Sequence, residues 1–210
     1  MGSLAQENDA DTLQEEYVPK IKLNFYVDYG KLLTLASNFE RKYEGGLEIM
    51  LADKFPLILE IGNGEIFPQS AFRNGTYNSD GTYYRLGAGY TPRVSPKNRL
   101  GITFRYGRSL FDEDIRLVVS SPSQSQDDFV QVIERESLTA QWAEAILYSD
   151  TKLNRWFTVG LNLRLRILLT YDQIQRLDEN DTIDVYAIPG YGRSFDDVIP
   201  AANLFLKITL

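Results

Sequence analysis

Residues 98–108 read NRLGITFRYGR, and their side chains alternate between two kinds along the chain. At even-numbered positions, the apolar parity, the side chains are Leu100, Ile102, Phe104 and Tyr106. At odd-numbered positions, the other parity, they are Arg99, Gly101, Thr103, Arg105 and Gly107. Successive side chains of a β-strand point to opposite faces, so this pattern predicts a strand. Glycine weakens a strand and offers no side chain for packing, so its presence here needs a reason. The surroundings must favour an apolar row on one face and small residues beside arginine on the other.

Composition excludes several classes of function. The 210-residue chain contains no histidine and no cysteine. It therefore lacks the commonest general base, the commonest transition-metal ligand and any disulfide framework. Its net charge of −7 argues against nucleic acid as a partner. No apolar run reaches the ~18 residues of a membrane-spanning helix, so any contact with a membrane would be made by strands.

Eight segments of the chain show a period of two residues in their hydrophobic pattern. They cover residues 20–29, 41–52, 55–67, 82–91, 98–108, 137–148, 157–167 and 202–210. The sixth segment is the least regular, because Leu138, Ala140 and Trp142 share a parity with Glu144. Either one end of that segment is bulged or the assignment of its two faces is reversed.

The connections between these segments alternate in length. Those after the second, fourth and sixth segments are short (53–54, 92–98 and 149–154), and those after the other segments are longer. Short turns at one end and long loops at the other, with an even number of strands, are typical of outer-membrane barrels. The sequence therefore predicts an all-β fold. We expect an eight-stranded antiparallel transmembrane β-barrel with short periplasmic turns, long extracellular loops and both termini periplasmic.

The polar parity would then face the lumen, the interior of the barrel. Eight strands leave a lumen only just wide enough for side chains, so large residues there must lie beside small ones such as Gly87, Gly101 and Gly160. Buried charges need partners. We expect one network near mid-membrane that leaves no water path, formed by Glu48, Glu60, Arg85, Arg105 and Arg164. The flanking charges are Asp28, Glu44 and Arg166 above this network, and Lys22, Arg99 and Lys207 below it.

Aromatic residues lie near both ends of the predicted strands. The set near the long loops is Tyr29, Tyr43, Phe67, Tyr84, Tyr106 and Tyr171; the set near the short turns is Phe55, Tyr90, Tyr148, Trp156 and Phe157. Two aromatic belts flank the apolar band of membrane barrels, although aromatics are enriched in any sheet.

The N-terminal segment differs from the rest of the chain. Its first 18 residues are acidic, MGS is typical of a vector leader, and LAQ fits the trailing edge of a removed secretory signal. We expect residues 1–18 to be a leader remnant with an acidic flexible N-terminus. Residues 19–210 would form a single barrel domain in the outer membrane of a Gram-negative bacterium. A native cytosolic N-terminus is the alternative.

Seven fragments, in this order, resemble a known family: KYEGGLEIML, FPLILEIGNG, TYYRLGAGY, LGITFRYGRSLFDEDI, SLTAQWAE, RWFTVGLNLRLRILL and IPGYGRS. Together they are similar to an uncharacterised family of Bacteroidota outer-membrane barrels, domain-of-unknown-function family 6048. The resemblance runs from about residue 20 to the C-terminus. It implies a small outer-membrane barrel and supplies no activity.

Acidic loops are the one candidate for chemistry, since Asp and Glu can act as acid and base when their pKa values are split. The candidates are Asp112, Glu113, Asp114, Asp127, Asp128, Asp178, Glu179, Asp181, Asp184, Asp196 and Asp197. The stretch DENDTID lacks the glycine and the spaced glutamate of a calcium loop. We interpret these loops as solvated surface, and we expect no enzymatic activity, no metal site and no cofactor.

Two regions are candidates for binding a partner. The first surrounds IPGYGRS and comprises Tyr186, Pro189, Gly190, Tyr191, Gly192 and Phe195, for which packing over the barrel mouth is the favoured alternative. The second is a hairpin beyond the membrane, predicted at residues 115–121 and 129–136. Exposed β edges are natural docking surfaces. We expect outer-membrane lipid or lipopolysaccharide around the barrel and an outer-membrane or surface protein as partner.

Three functions remain open from the sequence. The first is a structural or interaction protein of the outer membrane, including an accessory subunit of a larger complex. The second is a narrow channel, and the third is a soluble ligand-binding barrel of the lipocalin type. A lipocalin-type barrel needs an apolar interior, whereas here the charges occupy the parity opposite the apolar row. The pattern favours the first function.

Overall fold

The computed structural model describes residues 21–30, 39–68, 74–119, 129–172 and 185–210. Ten strands lie within these ranges: β1 (Lys22–Asp28), β2 (Glu40–Leu51), β3 (Phe55–Ile66), β4 (Gly75–Tyr90), β5 (Asn98–Val119), β6 (Phe129–Lys152), β7 (Phe157–Tyr171), β8 (Ala187–Ile188), β9 (Gly192–Arg193) and β10 (Val198–Thr209). In the same ranges no helix has the length and apolar character needed to cross a membrane.

Eight of these strands form one closed antiparallel barrel, in the order β1-β10-β7-β6-β5-β4-β3-β2. The ring closes between β1 and β10, where Phe25 lies opposite Ile208. The prediction of an all-β fold with eight antiparallel strands is confirmed. Residues 52–54, 91–97 and 153–156 connect strands at one end of the ring, which we call the short-turn end. Strands β8 and β9 pair only with each other.

The two faces of the barrel wall differ as the alternation predicts. Phe104 is 64% exposed on the outer face, whereas Arg105 next to it is 4% exposed and faces the lumen. Strands β3 and β7 repeat the pattern, with Leu59 and Leu163 outside and Glu60 inside. The wall therefore presents apolar side chains outward and polar side chains inward.

Glycines on the inner face make room for aromatic rings on the neighbouring strand. In four cases the glycine and the ring are direct partners in the strand register: Gly46 with Tyr26, Gly62 with Tyr83, Gly107 with Trp142, and Gly160 with Phe205. A Cβ added at Gly107 would lie 2.2 Å from the Trp142 ring, and one at Gly62 would lie 2.3 Å from Tyr83. These contacts explain glycine within the strands, because the narrow lumen holds each ring against bare backbone.

Strands β5 and β6 are much longer than the segments predicted for them. They continue as one ribbon in which Ile115 lies opposite Ile133 and Val118 lies opposite Val130. The hairpin expected at residues 115–121 and 129–136 is therefore a direct extension of these barrel strands over the residues described. Strand β4 also begins earlier than predicted, at Gly75. Its first residues pair with the β5 strand of this ribbon.

The sixth predicted segment, whose faces the sequence left open, has its even-numbered residues toward the lumen. A bulge precedes that row: Ser137 has a positive φ of 59°, and the β5–β6 register shifts between Phe111 and Glu113. The inward row then runs through Ala140, Trp142, Glu144, Ile146 and Tyr148, all of them buried. Assigning Tyr148 to the outer aromatic belt was therefore wrong. The apolar side chains of this row therefore fill part of the lumen.

Candidate functional site

The middle of the lumen holds a cluster of seven charged side chains contributed by six strands. We call it the central cluster, and it comprises Glu44, Glu60, Arg85, Arg105, Glu144, Arg164 and Arg166. All seven residues are buried. Three carboxylates and four guanidinium groups therefore share a space that water barely reaches, and each must be compensated by its neighbours.

Arg85 is the residue that joins the three carboxylates. Its Nη1 lies 2.6 Å from Glu44 Oε2 and 3.1 Å from Glu60 Oε2, and its Nε lies 2.8 Å from Glu144 Oε1. Arg164 lies opposite and contacts the same three residues, at 2.9 Å from Glu60 and 3.5 Å from Glu44 and Glu144. The fork geometry of arginine allows such sharing, because each guanidinium carries five donors.

Each carboxylate also accepts a hydrogen bond from one neutral donor. Tyr83 donates to Glu44 at 2.8 Å, Tyr26 donates to Glu60 at 2.8 Å, and Trp142 Nε1 donates to Glu144 at 2.8 Å. The aromatic rings that fit against the glycines thus also hold the carboxylates in place. Packing and charge compensation are served by the same side chains.

A second cluster lies between the central cluster and the short-turn end. Lys207 Nζ donates to both carboxylate oxygens of Glu48, at 2.8 and 2.9 Å, and also to Tyr148. Asn24 donates to Glu48 at 2.9 Å, and Asp150 lies 3.4 Å from Lys207 Nζ. We call these five residues the lower cluster.

The structure brings together most of the predicted charge network and changes its membership. Glu60, Arg85, Arg105 and Arg164 meet as expected, but Glu48 lies in the lower cluster with Lys207 instead. Glu44 and Arg166, which were expected above the network, belong to it. Glu144 was missed, because the irregular sixth segment gave no clear inward face. Parity assigns a face, whereas depth depends on the stagger between strands.

The segment around IPGYGRS lies inside the mouth of the barrel at the end opposite the short turns. Val185, Ile188 and Tyr191 are buried in an apolar cluster with Tyr83, Phe111, Ala140 and Trp142 of the wall. Arg85 donates to the Gly190 carbonyl at 2.8 Å, and Arg166 donates to the Tyr191 carbonyl at 2.7 Å. We call residues 185–195 the plug segment, because their backbone is hydrogen-bonded to the central cluster.

This placement decides which residues of the plug segment are accessible. Pro189, Gly190 and Tyr191 are buried, so they match the packing alternative and not a docking surface. Gly190 has a positive φ of 87° and fits against the Tyr83 ring, where a Cβ would come within 2.5 Å. Tyr186 and Gly192 are partly buried, and only Phe195 among the six candidates is exposed.

The acidic loop candidates do not converge on one site. Asp112 accepts a hydrogen bond from the Ser137 backbone at 2.7 Å, Glu113 pairs with Arg135, and Asp114 lies 3.4 Å from Arg116. Asp196 and Asp197 are exposed beside the plug segment. Within the described ranges no group of acidic residues is arranged to hold a metal ion. The remaining candidates, Asp127, Asp128, Asp178, Glu179, Asp181 and Asp184, lie outside the described residues.

Asp53, in the turn between β2 and β3, forms ion pairs with three basic residues at the short-turn end. Its carboxylate lies 2.6 Å from each of Lys22, Arg93 and Arg99. Partial burial acts to raise the pKa of Asp53, but hydrogen bonds from Lys22 and Arg99 outweigh it and hold the pKa well below its usual range. The turn is shaped for this contact, since Ala52 and Asp53 both have positive φ.

The fold and the lumen define a class of protein: a closed eight-stranded barrel with an apolar outer wall and a charged, filled interior. The model of a domain-of-unknown-function family, DUF6048, matches residues 3–203, and the chain belongs to this family. The family part of the resemblance is thereby confirmed. No curated protein sequence matches the chain.

Two solved structures have a similar fold. The N-terminal β-barrel domain of Pseudomonas aeruginosa OprF is 13% identical with a TM-score of 0.42. A major outer membrane protein from Thermus thermophilus is 10% identical with a TM-score of 0.49. Each comparison covers 92% of this chain and all of the other chain.

The central cluster predicts an asymmetry between the two sides of one ion pair. Glu60→Gln should destabilise the barrel by about 3–5 kcal/mol, because Glu60 is the ion-pair partner of Arg105 and its loss leaves excess positive charge buried. Arg105→Met should cost less, since Glu60 keeps Arg85, Arg164 and Tyr26. Urea unfolding in detergent, followed by circular dichroism, measures both.

The control for this comparison is Glu65→Gln in the same strand. Glu65 pairs with Arg41 at 3.6 Å and their side chains are 40% and 56% exposed, so its loss should change stability by less than about 1 kcal/mol. Equal losses for Glu60→Gln and Glu65→Gln would mean that water reaches the central cluster and solvates it.

Proposed function

We propose that this protein is a small integral β-barrel of a Gram-negative outer membrane, with a plugged, non-conducting lumen, serving as a structural or interaction protein. In this proposal the short turns and both ends of the chain are periplasmic and the long loops are extracellular. It includes the narrower role of an accessory subunit in a larger outer-membrane complex. The observation that carries it is the outer face of the wall.

That outer face is apolar around the whole ring. Its exposed large residues include Phe25, Val27, Leu57, Leu59, Ile61, Leu86, Leu100, Ile102, Phe104, Leu161, Leu163, Leu165, Leu204 and Ile208. Monomeric soluble proteins rarely expose a continuous apolar patch of more than a few hundred Å². Each Å² of such surface costs roughly 25 cal/mol in water, so a surrounding lipid phase stabilises this wall.

The interior argues against the lipocalin-type alternative. A barrel that holds an apolar ligand needs an apolar cavity, and here the lumen is filled by ion pairs, aromatic rings and the plug segment. The space between Tyr26, Arg105 and Lys207 is only about 10 Å³. Such a space holds about one water molecule.

Tryptophan fluorescence tests the membrane proposal, because the chain has two tryptophans in opposite environments. Trp156 is 46% exposed in the turn between β6 and β7 at the short-turn end, and Trp142 is 0% exposed in the lumen. Bromine atoms on lipid chains quench tryptophans that they touch. In vesicles, we expect lipids brominated near the headgroup to quench Trp156 more than lipids brominated near the chain ends.

The matched control is Trp156→Phe, which leaves only Trp142. Its fluorescence should be insensitive to brominated lipid at either depth, because the barrel wall separates Trp142 from the lipid. The proposal fails if the wild-type protein is monodisperse without detergent. It also fails if brominated lipid quenches the tryptophan fluorescence of neither the wild-type protein nor Trp156→Phe.

Ion conductance distinguishes the plugged barrel from the narrow channel. The central cluster, the lower cluster and the plug segment fill successive levels of the lumen, so purified protein in a planar bilayer should give no step-like current. Stable, ion-selective conductance from the wild-type protein would favour the channel.

The interaction part of the proposal rests on the ribbon formed by β5 and β6 beyond the barrel. Val118, Val130 and Val132 are exposed on this ribbon, and exposed apolar edges suit a protein partner. A photo-crosslinking residue at Val132 should capture one reproducible outer-membrane or surface protein from native membranes. The same residue at Leu163 on the outer wall is the control, and identical products from both positions would contradict the proposal.

A further inference from the structure

The short-turn end of the barrel opens into a cavity of about 70 Å³ that is lined mainly by cations. Six basic side chains face it: Lys22, Arg93, Lys97, Arg99, Lys152 and Lys207. Of the carboxylates in the described ranges, only those of Glu48 and Asp150 share the lining. The whole chain has a net charge of −7. The positive charge at this mouth is therefore a local feature that the overall composition does not predict.

The carboxylates nearby do not balance these cations. Asp53 alone serves Lys22, Arg93 and Arg99, while Glu48 and Asp150 both contact Lys207. Lys97 and Lys152 have no ion pair with any carboxylate in the part of the chain that the structure describes. Their charges are therefore available to an anion that enters the cavity.

The backbone holds the residues that carry these cations next to one another. Arg93 and Arg99 face each other across a β-bridge in the turn between β4 and β5. In the same turn the Asn98 backbone donates to Ser95 Oγ at 3.1 Å. The Lys152 N–H donates to the Lys97 carbonyl at 2.8 Å, which places the two unpaired lysines side by side. A preorganised set of donors binds an anion with a smaller loss of conformational entropy.

We propose that this mouth is a binding site for a phosphate-type anion, either free phosphate or the phosphate group of a small soluble ester. The guanidinium groups offer paired donors that match phosphate oxygens, and the two lysines add charge. The cavity has room for several water molecules, which is enough for one phosphate group. It opens on the barrel axis and not on the outer wall, so the ligand arrives from solution.

Asp53 limits the affinity of this site in the proposal. Its carboxylate forms ion pairs with the three cations on one side of the mouth, and it is ionised at neutral pH because its pKa lies well below that pH. Replacing that charge should release Lys22, Arg93 and Arg99 toward an added anion. The inference does not depend on the membrane proposal, since it concerns only the mouth of the folded barrel.

Isothermal titration of inorganic phosphate, and separately of glycerol 3-phosphate, into the full-length protein in uncharged detergent at low salt tests the proposal and distinguishes the two sources of the anion. We expect saturable binding at one site per chain, weakened about tenfold by Lys97→Met combined with Lys152→Met. Asp53→Asn should tighten binding several-fold, and circular dichroism would check that this variant is folded. Added salt should weaken binding, because the lysines are exposed.

The control is Arg41→Met, which removes one exposed cation at the other end of β2 and should leave binding unchanged. The proposal is overturned if the wild-type protein shows no saturable binding, or if the lysine double variant binds as tightly as the wild-type protein. Because the lysine side chains are exposed, that double variant should fold even if Asp53→Asn does not.

Discussion

The width of the ring is the constraint on which the other features of this structure depend. Eight strands leave a lumen only just wide enough for side chains, so every inward residue must share its level with those on the opposite strands. Large rings on β1, β4, β6 and β10 therefore lie against glycines on their neighbours, as Trp142 does against Gly107. Charged residues at these levels have no access to bulk water, and they can be tolerated only in contact with one another.

Charge compensation in the lumen links the strands in a way that hydrogen bonding between neighbours does not. Arg85 of β4 contacts carboxylates from β2, β3 and β6, and its Nη2 donates to the Gly190 carbonyl of the plug segment. Replacing such a buried network with apolar residues often costs little stability. What the network adds here is two hydrogen bonds to the plug segment, from Arg85 to the Gly190 carbonyl and from Arg166 to the Tyr191 carbonyl.

Much of this could be predicted from the alternation of side chains, and the failures have identifiable causes. Seven segments show the predicted inner and outer faces, because a period of two determines the face. The sixth segment could not be assigned, since its inward face carries apolar residues such as Trp142 and Tyr148 together with Glu144. The position of Glu48 was wrong because depth follows from the stagger between strands, which parity does not encode. Burial of Gly190 and Tyr191 depends on contacts across the lumen that no local pattern shows.

The two ends of the lumen are built differently, and this difference limits how the interior can be used. At one end the chain closes its own mouth, with Ile188 and Tyr191 packed against the wall and Arg166 hydrogen-bonded to the plug segment. At the short-turn end the mouth is open and Lys207 lies behind it, already paired with Glu48. Anything that reaches the polar interior must therefore enter past the cations of the short turns. In the part of the chain that the structure describes, one end of the lumen is filled by packed side chains and the other presents a polar cavity to solution.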